Sequence, residues 1–360
     1  MSIMLNKTEF LQALDAVRPG LVTRSEILQS NCLVFRNGKV FTFNGNISCR
    51  IKSGLPNDLV AVVPAHELIS TLHKISAETI VVKKGKRNDE NILSFIQKDE
   101  SVWVRMDEEV TLPIDQIEQP KEWQKLSPDF SEAIGVVQDC TASDPQKDLG
   151  QIHITPNYVE ACDGFQLAKY KLKTGFDKSF MIRGDAMKFI SPLGMTKVSL
   201  TETWIHFKNP SGLVVTVRRT VADSEYPDIS KFFIMENAKS TVLPNGLGEA
   251  VDIATTWAQQ ILDDGPGGMV LLELKKGACR VYGIGLTGGY KKKLKIDYTG
   301  KTLRFKISTK ILSMICKKFN EVQINEEKLS VTTSRWQYVT SLTPPETTSD
   351  TEPSPPTDEE

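Results

Sequence analysis

Apolar side chains recur along the chain at spacings of three and four residues, a pattern typical of helices that bury one face. The apolar positions of a first helix are Phe10, Ala13, Leu14 and Val17; Phe130, Ala133, Ile134 and Val137; and Leu247, Ala250, Val251 and Ala254. Those of a second helix are Ala65, Leu68, Ile69 and Leu72; Ala186, Phe189, Ile190 and Leu193; and Ile311, Met314 and Ile315. Successive copies lie 117 to 125 residues apart, which predicts an internal triplication.

Strand-like runs with turn signals lie between and after these helices, so each copy is predicted to run helix, strands, helix, strands. Runs of strands around single helices favour an α+β fold with antiparallel sheets over strict β-α-β alternation. Clusters of Pro, Gly and polar residues near Pro120 and Leu243 divide the chain into domains at 1–120, 121–243 and 244–343. The alternative is three unrelated α+β domains that share a common helix pattern.

The chain has 44 basic and 45 acidic residues, and this near balance changes once the C-terminal segment is considered separately. Residues 344–360 contain five Pro and six acidic residues and no base, a composition that predicts a disordered tail. Without this tail the net charge is +5, and residues 244–343 alone carry +6. That excess includes Lys310, Lys317 and Lys318 on the predicted second helix. These lysines suit sequence-independent phosphate contact, or they only keep the surface soluble.

No motif for catalysis, a metal or a cofactor stands out, so we predict a protein that is not an enzyme and needs no cofactor. The four His lack metal-ligand spacing, and no phosphate-binding loop occurs. The glycine-rich run at 283–289 is interpreted as a hairpin turn, because a strand-like segment follows it. Six Cys without C-x-x-C pairing, no signal peptide and no apolar run near 20 residues predict a cytoplasmic protein with reduced thiols and no membrane contact.

Four segments in this repeated frame resemble the bacterial DNA polymerase sliding clamp, the beta subunit of the replicative polymerase. They are VVPAHELISTL (62–72), LPIDQIEQPKEW (112–123), EACDGFQLAKY (160–170) and DSEYPDISKFF (223–233). The departures from the family motifs suit a divergent member, for example one encoded by a phage. The resemblance implies a homodimeric, head-to-tail ring of six similar units, which encircles double-stranded DNA without sequence specificity. It also implies a DNA polymerase that the ring makes processive and a clamp loader that opens the ring.

The resemblance places DNA-contacting residues at Arg24 and at His73 and Lys74 in the first domain. In the second domain the family often has two basic residues at a helix start, where this chain has Gly184 and Asp185. Arg183 and Lys188 are the substitutes that we expect there. The lysines of the third domain named above complete the predicted DNA-binding set.

The resemblance also places a cleft for partner peptides between the second and third domains. Its predicted residues are Cys162, Gly164, Phe165, Gln166, Leu167, Ile234, Val339 and Leu342. Because Phe165 and Gln166 replace a His and an Arg of the family motif, a more apolar pocket is expected. Ile261 and Leu262 match an apolar pair at the family's subunit contact, although ordinary core packing is an alternative for both.

Two other functions stay open from the sequence alone. One is an enzyme built on the same three units, which would need a deep polar pocket with convergent ionisable groups. The other is a ring-shaped scaffold for proteins that does not bind DNA, which would lack a basic surface on its helices. Gly184 and Asp185 favour the scaffold slightly, whereas the basic third domain favours DNA binding.

Overall fold

A computed structural model describes residues 2–22, 26–144, 148–220, 226–258, 268–285 and 287–344. Residues 345–360 of the predicted tail lie outside the described residues. Within the described ranges the chain is α+β with antiparallel sheets, as the sequence predicts.

The same order of elements occurs three times along the chain: strand, helix, four strands, helix, three strands. The first copy comprises β1 (Ser2–Asn6), α1 (Lys7–Ala16), β2 (Cys32–Arg36), β3 (Lys39–Phe43), β4 (Ile47–Lys52), β5 (Ala61–Pro64), α2 (Ala65–Lys74), β6 (Thr79–Arg87), β7 (Glu90–Gln97) and β8 (Glu100–Arg105). The second copy comprises β9 (Gln124–Lys125), α3 (Phe130–Val137), β10 (Gln151–Ile154), β11 (Tyr158–Cys162), β12 (Gln166–Lys171), β13 (Phe180–Arg183), α4 (Gly184–Ile190), β14 (Lys197–Leu200), β15 (Trp204–Lys208) and β16 (Val214–Arg218).

The third copy follows the same order and contains the most basic helix. It comprises β17 (Lys239–Val242), α5 (Leu247–Thr255), β18 (Met269–Lys275), β19 (Ala278–Gly285), β20 (Gly288–Lys295), β21 (Leu303–Ser308), α6 (Thr309–Lys318), β22 (Glu321–Ile324), β23 (Lys328–Thr332) and β24 (Trp336–Ser341). The triplication predicted from helix spacing is therefore present in the order of the elements.

The chain forms two compact units. The first unit comprises Met1–Asp163 and Lys169–Pro227, and the second comprises Gly164–Ala168 and the described residues from Asp228 onward. In the first unit the antiparallel orders are β1-β6-β7-β8, β5-β2-β3-β4-β16-β15-β14-β9 and β13-β10-β11. In the second unit they are β20-β19-β18-β21 and β24-β23-β22-β17. The three-domain division at Pro120 and Leu243 stays a prediction.

Each helix buries one apolar face, and the buried positions largely match those predicted from spacing. Phe10 of α1 packs on Phe95 of β7 with ring centroids 5.9 Å apart. Phe130 of α3 packs on Phe207 of β15 at 6.0 Å. Because β7 and β15 hold the same place in the first and second copies, the two copies share one helix-to-sheet contact. Burying such aromatic side chains is a main source of core stability.

The predicted core position at Phe189 is wrong, because this side chain is 56% exposed. In α4 the buried side chains come instead from Ala186, Met187 and Ile190. With 100° between successive residues, Met187 turns the buried face away from Phe189. The α-helix also ends at Ile190, and a 3-10 turn that contains Pro192 follows it, since proline cannot donate the next helical hydrogen bond.

The glycine-rich run at 283–289 is confirmed as part of a hairpin, because β19 pairs antiparallel with β20, from Ala278 opposite Lys295 to Gly285 opposite Gly288. The glycines allow the hairpin to lie directly against the end of α5. A methyl group built on Gly283 would lie 2.7 Å and 2.8 Å from backbone carbons of Ala254. A close approach of two backbones therefore explains this glycine, and no nucleotide needs to be invoked.

Four of the six Cys side chains are buried, which agrees with the predicted burial of most thiols. Among the described residues, no helix is long and apolar enough to cross a membrane.

His206 is a buried titratable group in the first unit, with 1% of its surface exposed. It lies on β15 opposite Thr216 of β16, and its Nδ1 is 2.8 Å from the Thr216 hydroxyl. Burial, reinforced by the positive charge of Arg50, lowers the pKa of His206 from 6.5 to about 4. The imidazole is therefore neutral in the folded protein near neutral pH.

A substitution at Gly283 tests the contact between the hairpin and α5. We expect Gly283→Ala to lower the free energy of unfolding by about 1–3 kcal/mol, because the new methyl group overpacks against backbone that cannot move aside. The matched control is Gly248→Ala on α5, whose methyl group would meet Cys316 Cβ at an ordinary 3.7 Å. Chemical denaturation measures both variants, and an unaltered midpoint for Gly283→Ala would contradict the proposed contact.

Lowering the pH tests the environment of His206. Between pH 7 and pH 5 the unfolded chain takes up a proton on this residue that the folded chain does not, so folding stability is lost as the pH falls. From the two pKa values, the free energy of unfolding should fall by about 2 kcal/mol more in the wild type than in His206→Gln. Urea unfolding at both pH values measures this difference. An equal fall in the free energy of unfolding for the two proteins would refute the prediction.

Candidate nucleic-acid interface and peptide-binding surface

Helices from the first two copies lie side by side in the first unit. α1 contacts α2, the 3-10 turn Arg18–Gly20 that follows α1 contacts α4, and the turn after α4 contacts α3. The Ser191 hydroxyl in that last turn donates a hydrogen bond to the Ser131 carbonyl of α3 at 3.1 Å. Because each helix buries its apolar face, its polar side chains point away from the core.

His73 and Lys74 are the last two residues of α2, as the sequence predicts, and both are exposed. His73 Nε2 lies 3.0 Å from a carboxylate oxygen of Asp15 on α1. The same carboxylate is 3.5 Å from Arg18 Nη1. One acidic side chain therefore sits between two basic ones at this end of α1.

Arg183 immediately precedes α4, and Lys188 lies in the last turn of this helix. Arg183 donates two hydrogen bonds to Asp185, from Nε at 3.0 Å and from Nη2 at 2.5 Å, which is the bidentate geometry of a strong arginine–carboxylate pair. Burial alone raises the pKa of Asp185, but the hydrogen bonds and charge of Arg183 outweigh burial and hold that pKa below its ordinary value. Lys188 is exposed and adds a smaller effect in the same direction.

The ion pair of Asp15 with Arg18 and the ion pair of Arg183 with Asp185 both line one open cleft of about 510 Å³ in the first unit. Its lining residues are Asp15, Arg18, Pro19, Leu21, Val22, Asn44, Asn46, Ile47, Arg183, Asp185, Ala186 and Phe189. The cleft thus combines paired charges with a partly apolar floor.

The predicted lysines of the second unit lie on α6. Lys310, Lys317 and Lys318 are all exposed. Lys310 and Lys317 are seven residues apart, which places them on nearly the same helix face about 10 Å apart along the axis. On the neighbouring helix α5, Asp252 accepts a 3.4 Å hydrogen bond from the Ser313 hydroxyl of α6.

Three predicted residues lie outside the described residues: Arg24 of the DNA-binding set and Ile261 and Leu262 of the subunit contact. Their roles stay predictions. Arg18, conversely, was missed by sequence reasoning. Its spacing of three residues from Asp15 on a helical segment is the signal that points to this ion pair.

The segment Gly164–Leu167 of the second unit lies beside β24. The Phe165 carbonyl accepts hydrogen bonds from the Ser341 backbone N–H and the Ser341 hydroxyl, both at 2.8 Å. The Tyr338 hydroxyl donates to Gln166 Oε1 at 2.8 Å. These bonds fix the Phe165 backbone while its side chain stays 52% exposed.

The predicted cleft residues separate into exposed and buried groups. Gly164, Phe165 and Ile234 are exposed, the last to 66%. Gln166, Leu167, Val339 and Leu342 are buried in the second unit. Cys162 is buried in the first unit. Only the exposed side chains are available for direct contact with a peptide, and the others support the surface.

Phe232 is an exposed aromatic residue that sequence reasoning missed. Lys231 Nζ and Lys328 Nζ lie 5.3 Å and 6.0 Å from its ring centroid. An open groove of about 830 Å³ begins beside it. The groove is lined by Lys231, Ile234, Glu236, Asn237, Ala238, Lys239, Tyr298, Lys301, Leu303, Ile324, Asn325, Glu326, Glu327 and Lys328. The 3-10 turn Ser230–Phe233 contacts β24, whose Ser341 binds the Phe165 backbone. We call Phe165, Phe232 and Ile234 the apolar patch.

No protein-family model and no curated protein matches this chain. Solved structures match it almost from end to end. The DNA polymerase III beta chain from Streptococcus pneumoniae TIGR4 superposes with a TM-score of 0.75 at 16% identity, over 95% of this chain and 99% of that chain. A DnaN sliding clamp from Bartonella birtlesii, bound to griselimycin, gives 0.77 at 17% identity over the same shares. The DNA polymerase sliding clamp from Bacillus subtilis gives 0.74 at 14% identity, over 96% and 100%.

These likenesses extend over all three copies of the repeated element order, at sequence identities of only 14% to 17%. The resemblance stated from four short motifs is thereby confirmed at the level of the fold: this chain has the sliding-clamp fold of the bacterial DNA polymerase III beta chain.

Proposed function

We propose that this protein is a sliding clamp, a ring of two copies that encloses duplex DNA and tethers a replicative DNA polymerase. The observation that carries the proposal is the match in fold to sliding clamps over at least 95% of the chain. A ring acts by enclosure, so the proposed protein is not an enzyme and works without a cofactor. It acts in the cytoplasm.

Exposed basic side chains on the helices support the DNA-binding part of the proposal. Five exposed lysines offer long, flexible cations that suit phosphates: Lys310, Lys317 and Lys318 on α6, and Lys74 and Lys188 in the first unit. Contacts with phosphates carry no sequence information, so a ring that uses only these contacts moves along the duplex without preferred stops. We propose that these side chains, together with Arg24, His73 and Arg183, face the DNA.

Tethering explains how such a ring makes a polymerase processive. A polymerase bound to a ring that cannot leave the duplex stays near the primer end at a high effective concentration. The ring must open to admit DNA, and we propose that a separate clamp loader performs this step. We propose that Ile261 and Leu262 contribute to the contact that closes the ring.

The apolar patch supports a docking site for the polymerase in the second unit. Exposed aromatic and aliphatic side chains beside a groove are typical anchors of peptide recognition. The same groove is lined by four lysines and three glutamates: Lys231, Lys239, Lys301, Lys328, Glu236, Glu326 and Glu327. These mixed charges favour a peptide with apolar anchors and polar neighbours of both signs. The Ser341 backbone N–H and hydroxyl both donate to the Phe165 carbonyl and hold this backbone in place, so little conformational entropy is lost there when a peptide binds.

Retention on circular DNA tests the clamp function. With the clamp loader and ATP present, the labelled protein should remain on a nicked circular plasmid through gel filtration at moderate salt. It should leave after one restriction cut, because the ring slides off the ends. No retention on the circle despite an active loader would refute the proposal, and so would equal retention on circular and linear DNA. Electron microscopy of the free protein checks for the ring directly.

The apolar patch is tested by Ile234→Ser. Polymerase binding, measured by surface plasmon resonance, is expected to weaken about tenfold, because an exposed anchor at the groove is lost. Val242→Ser is the matched control, since Val242 is also a strongly exposed aliphatic residue of the second unit. Retention on circular DNA should be unchanged in both variants. Equal polymerase binding by the two variants would place the docking site elsewhere.

A further inference from the structure

We infer that Asp15 and Asp185 act as built-in counterions, which occupy basic side chains of the first unit and thereby weaken its hold on DNA. The inference rests on the proposed function, because it concerns how strongly the helices contact phosphates. It assigns a role to two acidic residues where a DNA-binding surface is expected to carry only bases. In this role a carboxylate takes the place that a phosphate would otherwise take on an arginine.

The pair on α4 is the clearest case. Both oxygens of Asp185 are used by Arg183, which leaves the guanidinium with its carboxylate-binding edge occupied. The same edge is the one that binds a phosphate in a bidentate manner. Asp185 is further held by the Ala186 backbone N–H, which donates to Oδ1 at 2.7 Å. The carboxylate is therefore fixed in position before any DNA arrives.

Asp15 acts on two bases from two other elements. It lies 3.0 Å from His73 at the end of α2 and 3.5 Å from Arg18 in the turn after α1. His73 is one of the residues for which DNA contact is predicted. The carboxylate thus lowers the net positive charge at the junction of these helices.

Both groups are accessible to a ligand. Asp15, Arg18, Arg183 and Asp185 line the same open cleft. The side chains of these ion pairs are between 24% and 51% exposed. Ion pairs with such exposure add little to folding stability, so the fold does not require them. A DNA phosphate can replace either carboxylate on its arginine. Because an ion pair must break first, less binding free energy is gained from each phosphate contact.

The lysines of α6 differ from these arginines in their surroundings. Lys310 and Lys317 form no ion pair with another described residue and are exposed. The inferred consequence is that phosphate contacts differ in strength. Those made by Lys310 and Lys317 on α6 are not weakened by an ion pair, whereas those made by the arginines of the first unit are. Weaker phosphate contacts release fewer counterions per contact, which favours movement along the duplex over holding at one place.

The test measures binding to a short linear duplex by fluorescence anisotropy from 50 to 200 mM salt, without a loader. Asp185→Asn should free Arg183 and make the slope of log affinity against log salt steeper by about 0.9 for each chain in contact. Over this salt range that slope corresponds to an additional loss of about 3.5-fold in affinity. Asp15→Asn should produce a similar change through Arg18 and His73. The double variant Arg183→Ala/Asp185→Asn should lose the effect of Asp185→Asn.

The matched control is Asp177→Asn, which removes an exposed acid of the same unit that lies outside the cleft. A steeper slope in Asp177→Asn equal to that in Asp185→Asn would overturn the inference, because net charge alone would then explain the change. An Asp185→Asn effect that persists without Arg183 would overturn it as well. Melting curves confirm that each variant is folded.

Lys310→Ala/Lys317→Ala separates this inference from the proposed function. This variant is expected to have a shallower salt slope. If it does while Asp15→Asn and Asp185→Asn keep the wild-type slope, the counterion role is refuted and the proposed clamp function still stands. Absence of DNA binding in every protein, including the wild type with a loader on circular DNA, would overturn both.

Discussion

The structure depends on how the strands before and after each helix are shared. The strand before the first helix of a copy pairs with the strand after the second helix, as in β1 with β6, β9 with β14 and β17 with β22. The strand before the second helix pairs with the strand after the first, as in β5 with β2, β13 with β10 and β21 with β18. Neither half of a copy can therefore complete its sheet alone, and the two halves must fold together.

This sharing fixes the helices in position and leaves their outer faces without a structural task. Each helix packs its apolar residues against the sheet, as Phe10 and Phe130 do. The charge of the side chains on its outer face can therefore differ between copies without a loss of core packing. The outer faces accordingly differ between copies. α6 ends in two lysines, whereas α4 carries Asp185 in its first turn. A repeated fold thus supports unequal contacts around one proposed ring.

The apolar patch depends on the support that a strand of the second unit gives to the Phe165 backbone. In the second unit, Ser341 at the end of β24 binds the backbone at Phe165. The hydrogen-bonded backbone leaves the Phe165 side chain exposed next to its support. Binding surfaces of this kind rest on a rigid frame, and only their exposed side chains need to change for a different partner.

The sequence by itself determined the triplication, the α+β class, the faces that most helices bury and the hairpin at 283–289. All of these follow from local periodicity and turn residues. It erred at Phe189, because the rotation of a seven-residue helix depends on which neighbours fill its buried side. Only the tertiary structure decided that Asp15 meets His73, 58 residues away, and that Phe165 meets Ser341, 176 residues away. Such pairs arise from strand order and helix packing across the chain, and residue spacing carries no information about which distant charges come together.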